Sequence, residues 1–301
     1  LSAAIRLALP SALATYDAEL GFRLLLDEAT ASNGWVSKPT ARTPRGRGGY
    51  GGKQSSYLEH ITGLMRAYNY SVRRELVWVT RRLESRLGLA AGSVDEAVRL
   101  AIACHDIGKL TRRWQTWAHT WQALLVESYG PAYAVQPDRA FLAKTDRLDD
   151  WRAEQKLRSE MSVTRPNHAC IGVLASCNLI AQRLLEGDAS GQVGPLALAA
   201  YSAIARHHAP TAREYDDAAW DEAARAVIGQ ALAVCSISMT PERLALTEQR
   251  YGELPEAYLI EPSFDLSSDE PTDTPALATW LSFVIVRALR LCDQRAERDL
   301  G

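Results

Sequence analysis

Residues 103–115, ACHDIGKLTRRWQ, place a histidine and an aspartate side by side at the end of an apolar run. Just before them, VDEAVRLAIAC repeats apolar residues at spacings of three and four, which is the pattern of a helix with one buried face. His105 and Asp106 therefore lie where this helix meets its core. Because histidine and aspartate are both good metal ligands, the stretch predicts a helical domain with a metal site at a helix end.

Segments on either side of this motif show the same helical periodicity. HACIGVLASCNLIAQRLL follows it, then PLALAAYSAIARHH opened by Pro195, and ALATWLSFVIVRALRLCDQRAE opened by Thr274 and Pro275. Ser93 with Glu96 predicts a capping box at the start of the helix that leads to His105. Alternating runs typical of strands are missing. The fold class predicted is all-α, a helical bundle.

Composition limits the kinds of protein this chain can be. It has 301 residues, a formal net charge of -2 and 47% hydrophobic residues, which excludes general disorder and any global attraction to nucleic acid or membranes. The five cysteines form no C-x-x-C pair, so we expect free thiols packed in helices. No apolar run is long enough to span a membrane, and no signal peptide is present. We expect a soluble, cytoplasmic protein.

Two polar segments, residues 33–56 and 130–166, interrupt the helices and are predicted to be surface loops. We expect an N-terminal extension with a basic Gly/Arg-rich loop at residues 1–56 and the helical domain at residues 57–301, one globular unit overall. Nucleic-acid binding is predicted for four basic residues of the first loop, Arg42, Arg45, Arg47 and Lys53. Lys38, Trp35 and Tyr50 are interleaved with them. The alternative is a flexible, solvated linker.

The other histidines are placed as regularly as His105. His60 shares a predicted helix face with Tyr57 and Leu64, and Asp293 continues an otherwise apolar stripe. A buried carboxylate there needs a partner, and a metal ion would compensate it better than any lysine at hand. Each residue alone has a structural explanation. The order H, HD, H, HH, D across one helical domain instead supplies about seven ligands, which is enough for two metal ions.

This order, at His60, His105-Asp106, His168, His207-His208 and Asp293, resembles the HD phosphohydrolase superfamily. HDIGKLTRRWQ and IARHHAP resemble its CRISPR-associated branch, the HD nuclease domain of the type I nuclease-helicase. There the lysine is followed five residues later by an aromatic residue and a glutamine, which Trp114 and Gln115 match. The resemblance covers about residues 57–297. It departs at the third histidine, which lacks the usual flanking arginine and glutamate, and at Trp114, where phenylalanine is commoner.

The resemblance implies an HD-domain helical bundle with a dinuclear metal site and long surface loops. One ion would be held by His60, His105, Asp106 and Asp293. The second ion would be held by Asp106, His168, His207 and His208. Asp106 would bridge the ions through its two oxygens, and Lys109 would contact the scissile phosphate. The alternative for Lys109 is a solvated surface lysine. Ligands rich in imidazole favour manganese, nickel, cobalt or iron over magnesium.

The function implied is a metal-dependent endo- or exonuclease that cleaves single-stranded DNA with a metal-activated water. Its expected partners are single-stranded DNA, a helicase in the same or a partner chain, and an RNA-guided CRISPR surveillance complex, with no membrane. The G-x-x-x-x-G-K-[ST] motif of helicases is absent. Because residue 1 is leucine and about sixty residues precede His60, we expect an excised nuclease domain that follows a helicase.

Two other functions remain open at this point. An HD-domain phosphohydrolase of nucleotides or cyclic dinucleotides would carry the same seven ligands, although the Trp114-Gln115 extension and the basic loop would not be expected there. A module without metal that docks on a partner complex is the second alternative, and the complete ligand set argues against it.

Overall fold

The structure is a computed structural model that describes residues 53–185, 194–209, 211–238, 241–260 and 274–298, and two strands nearer the N-terminus. The chain divides into two compact units, Leu1–Gly49 and Tyr50–Gly301. In the first unit, β1 (Leu13–Asp17) pairs antiparallel with β2 (Gly21–Leu25). The predicted boundary between residues 56 and 57 stays a prediction. Across the described residues, every helix is too short or too polar to span a membrane.

A long helical segment opens the second unit. It consists of α1 (Tyr57–Ala67), a π-helical turn (Tyr68–Val72) and α2 (Arg73–Leu87), which follow one another without a break. Ser56 and Glu59 form a capping box at its start, because each side chain accepts a hydrogen bond from the backbone of the other. On α1 the buried face includes Tyr57, His60 and Leu64, as the sequence predicted.

The next helical elements contain residues 103–115, the stretch with the adjacent His105 and Asp106. They are α3 (Ser93–Cys104), a 3-10 turn (Ile107–Leu110) and α4 (Arg112–Tyr129). The capping box predicted for α3 is wrong. Its N-terminal amides are satisfied by the side chain of Glu84, whose Oε1 accepts from the backbone of Gly92 at 3.0 Å and of Val94 at 2.9 Å. Glu96 instead forms an ion pair with Arg183, whose guanidinium nitrogen lies 2.6 Å from its carboxylate oxygen.

The predicted surface loop at residues 130–166 is only partly correct. It contains β4 (Leu142–Lys144), which pairs antiparallel with β3 (Ser55–Ser56), and α5 (Trp151–Ser159), which Asp150 caps. Leu142, Ala143 and Leu157 are buried. β4 is too short to show a periodic pattern, and it is stabilised by backbone pairing with a distant segment. Of the other predicted loop, residues 33–56, only 53–56 lie within the described residues.

The second half of the chain completes the bundle with α6 (Ala169–Leu185), α7 (Gly194–Arg206), α8 (Ala224–Val234) and α9 (Thr274–Arg298). Short 3-10 turns occur at Pro131–Tyr133, Pro241–Arg243 and Glu256–Tyr258, and β5 (Glu214–Tyr215) pairs with β6 (Gly252–Glu253). α9 packs against α7, α1 and α3 around one large apolar core. Two small clusters of apolar side chains surround the tryptophans of α4.

The all-α prediction is confirmed, since helices account for most of the described residues and the strands are short. The three helices predicted at residues 168–185, 195–208 and 276–297 are all present, with bounds that agree to within a few residues. The expectation of free, packed thiols is also confirmed, because all five cysteines are free and buried.

Candidate metal centre

His105 and Asp106 occupy the junction between α3 and the 3-10 turn. α3 ends at Cys104, and Asp106 has φ -106° and ψ 9°, so the chain leaves the helix axis at this residue. Two residues on, Gly108 lies against the start of α6, where a Cβ atom would collide with the backbone carbonyl oxygen of His168. The glycine in the motif is therefore needed for close packing, and that packing brings His168 next to Asp106.

The two carboxylate oxygens of Asp106 face different histidines. Oδ2 lies 3.1 Å from Nε2 of His60 and 3.3 Å from Nε2 of His105. Oδ1 lies 3.1 Å from Nε2 of His168 and 3.7 Å from Nε2 of His207. His208 completes the second group, with its Nε2 3.1 Å from Nε2 of His168. The side chains thus form two sets of potential ligands that share Asp106.

Backbone carbonyls orient two of these imidazoles. Nδ1 of His105 lies 2.9 Å from the carbonyl oxygen of Ile102, and Nδ1 of His207 lies 2.6 Å from that of Ile204. Since a carbonyl can only accept, each Nδ1 carries the hydrogen and each Nε2 presents a lone pair toward Asp106. Nε2 of His207 and Oδ1 of Asp106 are buried without a hydrogen-bond partner. Such unsatisfied acceptors are what a bound cation would satisfy.

The protonation states suit metal binding. Burial disfavours the imidazolium and lowers the pKa of His60 to about 4 and that of His168 to about 3, although Asp106 opposes the shift. Burial also lowers the pKa values of His207 and His208. For the carboxyl of Asp106, burial alone would raise the pKa, but its contacts with His105 and with the ammonium group of Lys109 hold it well below its usual range. At neutral pH these four imidazoles are neutral and Asp106 is ionised.

Lys109 is buried in the centre, so the alternative of a solvated surface lysine is wrong. Its Nζ donates to Oδ2 of Asp106 at 2.7 Å and lies 5.6 Å from the centre of the Trp114 ring. Gln115 donates to the backbone carbonyl of Lys109 at 2.7 Å and exchanges two hydrogen bonds with the backbone of Leu142. Trp114 and Gln115 therefore hold Lys109 and β4 beside the centre.

Asp293 lies at the edge of the centre, beside a lysine of β4. Its Oδ1 accepts a hydrogen bond from Nζ of Lys144 at 2.9 Å and lies 4.0 Å from Nε2 of His60. β4 brings Lys144 to this carboxylate, and the expectation that a metal ion would compensate it better than a lysine stays a prediction. Burial would raise the pKa of Asp293, but His60 and Lys144 lower it to about 2.

The structure therefore brings seven of the predicted residues together, with Asp293 held a little apart from the other ligands. They are His60, His105, Asp106, Lys109, His168, His207 and His208. Of the residues predicted to bind nucleic acid, Lys53 is described and exposed. Arg42, Arg45 and Arg47 lie outside the described residues, and their predicted role stays a prediction.

A basic wall around the centre was not predicted. The pocket that contains the centre is lined by six basic side chains, Lys109, Lys144, Arg147, Arg158, Arg165 and Arg290. Arg158 and Arg165 lie over the ring of Trp117, with their Cζ atoms 5.6 Å and 5.3 Å from its centre. Residues 144–165 also contain five acidic residues, so their sequence shows no basic run that could have signalled this wall.

Comparison with known proteins agrees with this geometry. A model of the family described as Cas3, HD domain matches residues 48–282, a span that includes every ligand candidate except Asp293. No curated protein and no solved structure matches the chain.

Proposed function

The chain belongs to the family of Cas3 HD domains, and from this membership we propose that it cleaves single-stranded DNA with two divalent metal ions. The family is one of metal-dependent nucleases that act in type I CRISPR systems. What the proposal adds is the number of ions, the ligands of each, and the strandedness of the substrate.

The observation that carries the proposal is the position of Asp106. Its Oδ2 faces His60 and His105, and its Oδ1 faces His168 and His207, at distances of 3.1 to 3.7 Å. One carboxylate placed between two imidazole groups is the arrangement that a bridging ligand needs. We assign His60, His105 and Asp293 to one side of it. The other side consists of His168, His207 and His208.

These residues fit manganese, nickel, cobalt or iron better than magnesium, because most of the donor atoms are imidazole nitrogens. Bound ions would activate a water molecule for attack on a phosphodiester and would neutralise charge on the phosphate oxygens. The chain itself supplies the alignment. Lys109, held by Gln115 and beside Trp114, contributes a fixed positive charge next to the reacting phosphate.

The basic wall supports a polyanionic substrate. Six cations and two carboxylates, those of Asp106 and Asp293, line the pocket, so a chain of phosphates would be attracted to it. A single strand is preferred in this proposal because its backbone can bend into a pocket at the metal centre. The loop residues Arg42, Arg45, Arg47 and Lys53 are proposed to extend the contact with DNA. A helicase and an RNA-guided surveillance complex would deliver the strand in the cytoplasm.

The test is cleavage of circular single-stranded DNA by the metal-free protein after manganese, nickel or cobalt is added. We expect nicked and then shortened products with a transition metal, no cleavage with a chelator, and slower cleavage of duplex DNA. Mononucleotides and cyclic dinucleotides should be turned over far more slowly than DNA. Faster turnover of these small substrates would instead support the phosphohydrolase alternative. If the protein binds no metal at all, the nuclease proposal is wrong.

A further inference from the structure

The most exposed aromatic side chains of the described residues lie far along the helical segment from His60. Tyr70, in the π-helical turn, is 78% exposed, and Trp78, in α2, is 72% exposed. Contiguous exposed apolar surface rimmed by polar residues often marks a binding site. A π-helical turn within a long helix is itself often found at functional positions.

Arginines alternate with these rings along the same helical face. Cζ of Arg74 lies 5.9 Å from the centre of the Tyr70 ring, and Cζ of Arg82 lies 5.8 Å from the centre of the Trp78 ring. The four positions are spaced by four residues, so each side chain lies one turn beyond the last. Val77 and Arg81 are exposed between them. We call Tyr70, Arg74, Val77, Trp78, Arg81 and Arg82 the aromatic–arginine face.

The charges on this face are not neutralised within the described part of the chain. The three arginines of the face form no ion pair there, in contrast to their neighbour Arg73, which pairs with Asp95 at 2.7 Å. α2 contains two acidic residues, and both are engaged elsewhere. Glu75 is paired with Arg295 at 2.8 Å, and Glu84 is buried against the start of α3. Three unpaired guanidinium groups therefore remain beside two open aromatic rings.

We propose that the aromatic–arginine face binds single-stranded nucleic acid, with bases stacked on Tyr70 and Trp78 and phosphates on the arginines. Exposed rings interleaved with cations are the arrangement that binds single strands without sequence preference. The two aromatic positions are eight residues apart, which corresponds to about 12 Å along a helix. This distance leaves room for more than one nucleotide between the stacked bases.

A protein partner fits the face less well. Tyr, Trp and Arg are also enriched at protein interfaces, but the buried centre of such an interface is largely apolar, whereas here a single small apolar side chain, Val77, accompanies the two rings and three arginines. Phosphates would compensate these arginines, because the guanidinium fork matches the geometry of phosphate oxygens. The inference rests on the proposed function in one respect. It takes the nucleic acid held by this face to be the substrate that the metal centre cleaves.

The test measures DNA binding separately from cleavage. A fluorescent single-stranded oligonucleotide is titrated with chelated protein, so that the strand stays intact, and anisotropy is followed at several salt concentrations. We expect the Tyr70→Ala, Trp78→Ala double variant to bind at least about 30-fold more weakly, from the loss of two exposed stacking contacts. Changing Arg74, Arg81 and Arg82 to Gln should make binding less sensitive to salt. A plot of the logarithm of the binding constant against the logarithm of salt concentration should become shallower, its negative slope decreasing in magnitude by about 2.

The chain offers a matched control. Trp151 is 50% exposed and Arg152 lies over its ring at 5.7 Å, so this pair has the same chemistry away from the proposed face. Trp151→Ala with Arg152→Gln should leave binding and salt dependence as in the parent protein. All variants should hydrolyse bis-p-nitrophenyl phosphate at the parent rate with manganese, because this substrate is too small to reach the face.

The outcomes separate this inference from the proposed function. Parent-level binding by both sets of variants would overturn the inference and leave the nuclease proposal intact. Binding without metal-dependent cleavage in the parent protein would overturn the nuclease proposal alone. If the variants bind DNA normally but no longer associate with a helicase, the face is a protein interface and the nucleic-acid assignment is wrong.

Discussion

At the scale of single residues, three side chains meet at one carboxylate oxygen of Asp106. Its Oδ2 accepts a hydrogen bond from Lys109 at 2.7 Å and also faces His60 and His105. The ammonium group of Lys109 compensates the carboxylate, as a buried charge requires. If a cation were held at this position, Lys109 would be free to contact a phosphate, which is the role proposed for it.

The first prediction compares these two residues. Asp106→Asn keeps the shape but loses the charge of the bridging ligand, so we expect no detectable cleavage and the loss of at least one metal ion by elemental analysis. Lys109→Met removes one electrostatic contact and should slow cleavage by about 10- to 1,000-fold while metal content is kept. Circular dichroism shows whether both variants fold. A folded Asp106→Asn protein that cuts DNA at the parent rate would contradict a bridging role.

The second prediction concerns pH and the metal-free protein. In the unfolded chain His60 and His168 have a pKa of about 6.5, whereas in the folded protein burial lowers the pKa to about 4 and about 3. Between pH 6.5 and 4 the unfolded state binds more protons, so stability is lost as pH falls. At pH 5 the loss is on the order of 2 kcal/mol for each imidazole. Asp106 and Asp293 have lowered pKa values and contribute to acid sensitivity only at still lower pH.

Urea denaturation of the chelated protein at pH 7 and pH 5 measures this loss. His119 lies on the surface of α4 outside the centre, so His119→Gln should retain the full difference in the free energy of unfolding between the two pH values. A free energy of unfolding that is equal at pH 5 and pH 7 would show that these imidazoles are not held neutral by burial.

At the scale of elements, α3 is the helix whose ends matter most, because its C-terminus carries His105. Its N-terminus has no side-chain cap of its own, and Glu84 from α2 accepts from the amides of Gly92 and Val94. The carboxylate is buried and also lies at the positive end of the helix dipole. α2 and α3 are thus joined by a cap that comes from another helix.

The third prediction follows from this cap. Glu84→Ala removes the side-chain partner of two backbone amides, so we expect a loss of about 1 to 3 kcal/mol in the free energy of unfolding. Glu127→Ala is the matched control, because it removes an exposed carboxylate from the surface of α4 and should change stability by less than about 0.5 kcal/mol. The midpoints of denaturant unfolding give both values. Equal midpoints for the two variants would mean that the cap contributes nothing.

At the scale of the whole molecule, the metal centre joins distant parts of the chain. His60 comes from α1, His105 and Asp106 from the end of α3, His168 from the start of α6, and His207 from the end of α7. Because these ligand candidates converge only in the folded protein, a metal held by them would bind the folded state and stabilise it by mass action.

The fourth prediction is a thermal shift on metal loading. At a free manganese concentration of one hundred times Kd, each site adds about 2.7 kcal/mol, which corresponds to a rise in Tm of about 5 °C or more for a domain of this size. Magnesium should give a smaller shift at the same concentration, and Asp106→Asn should abolish most of the response to manganese. Scanning calorimetry of chelated and reloaded protein measures the effect. A Tm that does not respond to any transition metal would contradict the assignment of these ligands.

The sequence by itself determined the fold class and the identity of the ligand candidates. Helical periodicity is a local property, so the apolar spacings before Asp106 and within residues 168–185 were sufficient to predict helices. The ligand types are equally local, and their order along the chain supported the family resemblance. Gly108 and Gln115 were recognised as motif residues, but their physical roles could not be derived from their spacing.

The tertiary structure alone decided which partners these residues have. Lys144 reaches Asp293 across 149 positions of sequence, and Glu84 caps α3 in place of the predicted capping box. The basic wall assembles from residues that are interspersed with acids in sequence, and Arg147 and Arg158 line the pocket although both are paired with Glu154. Charge pairing and capping depend on distances of a few ångströms between segments that packing brings together. No local pattern encodes those distances.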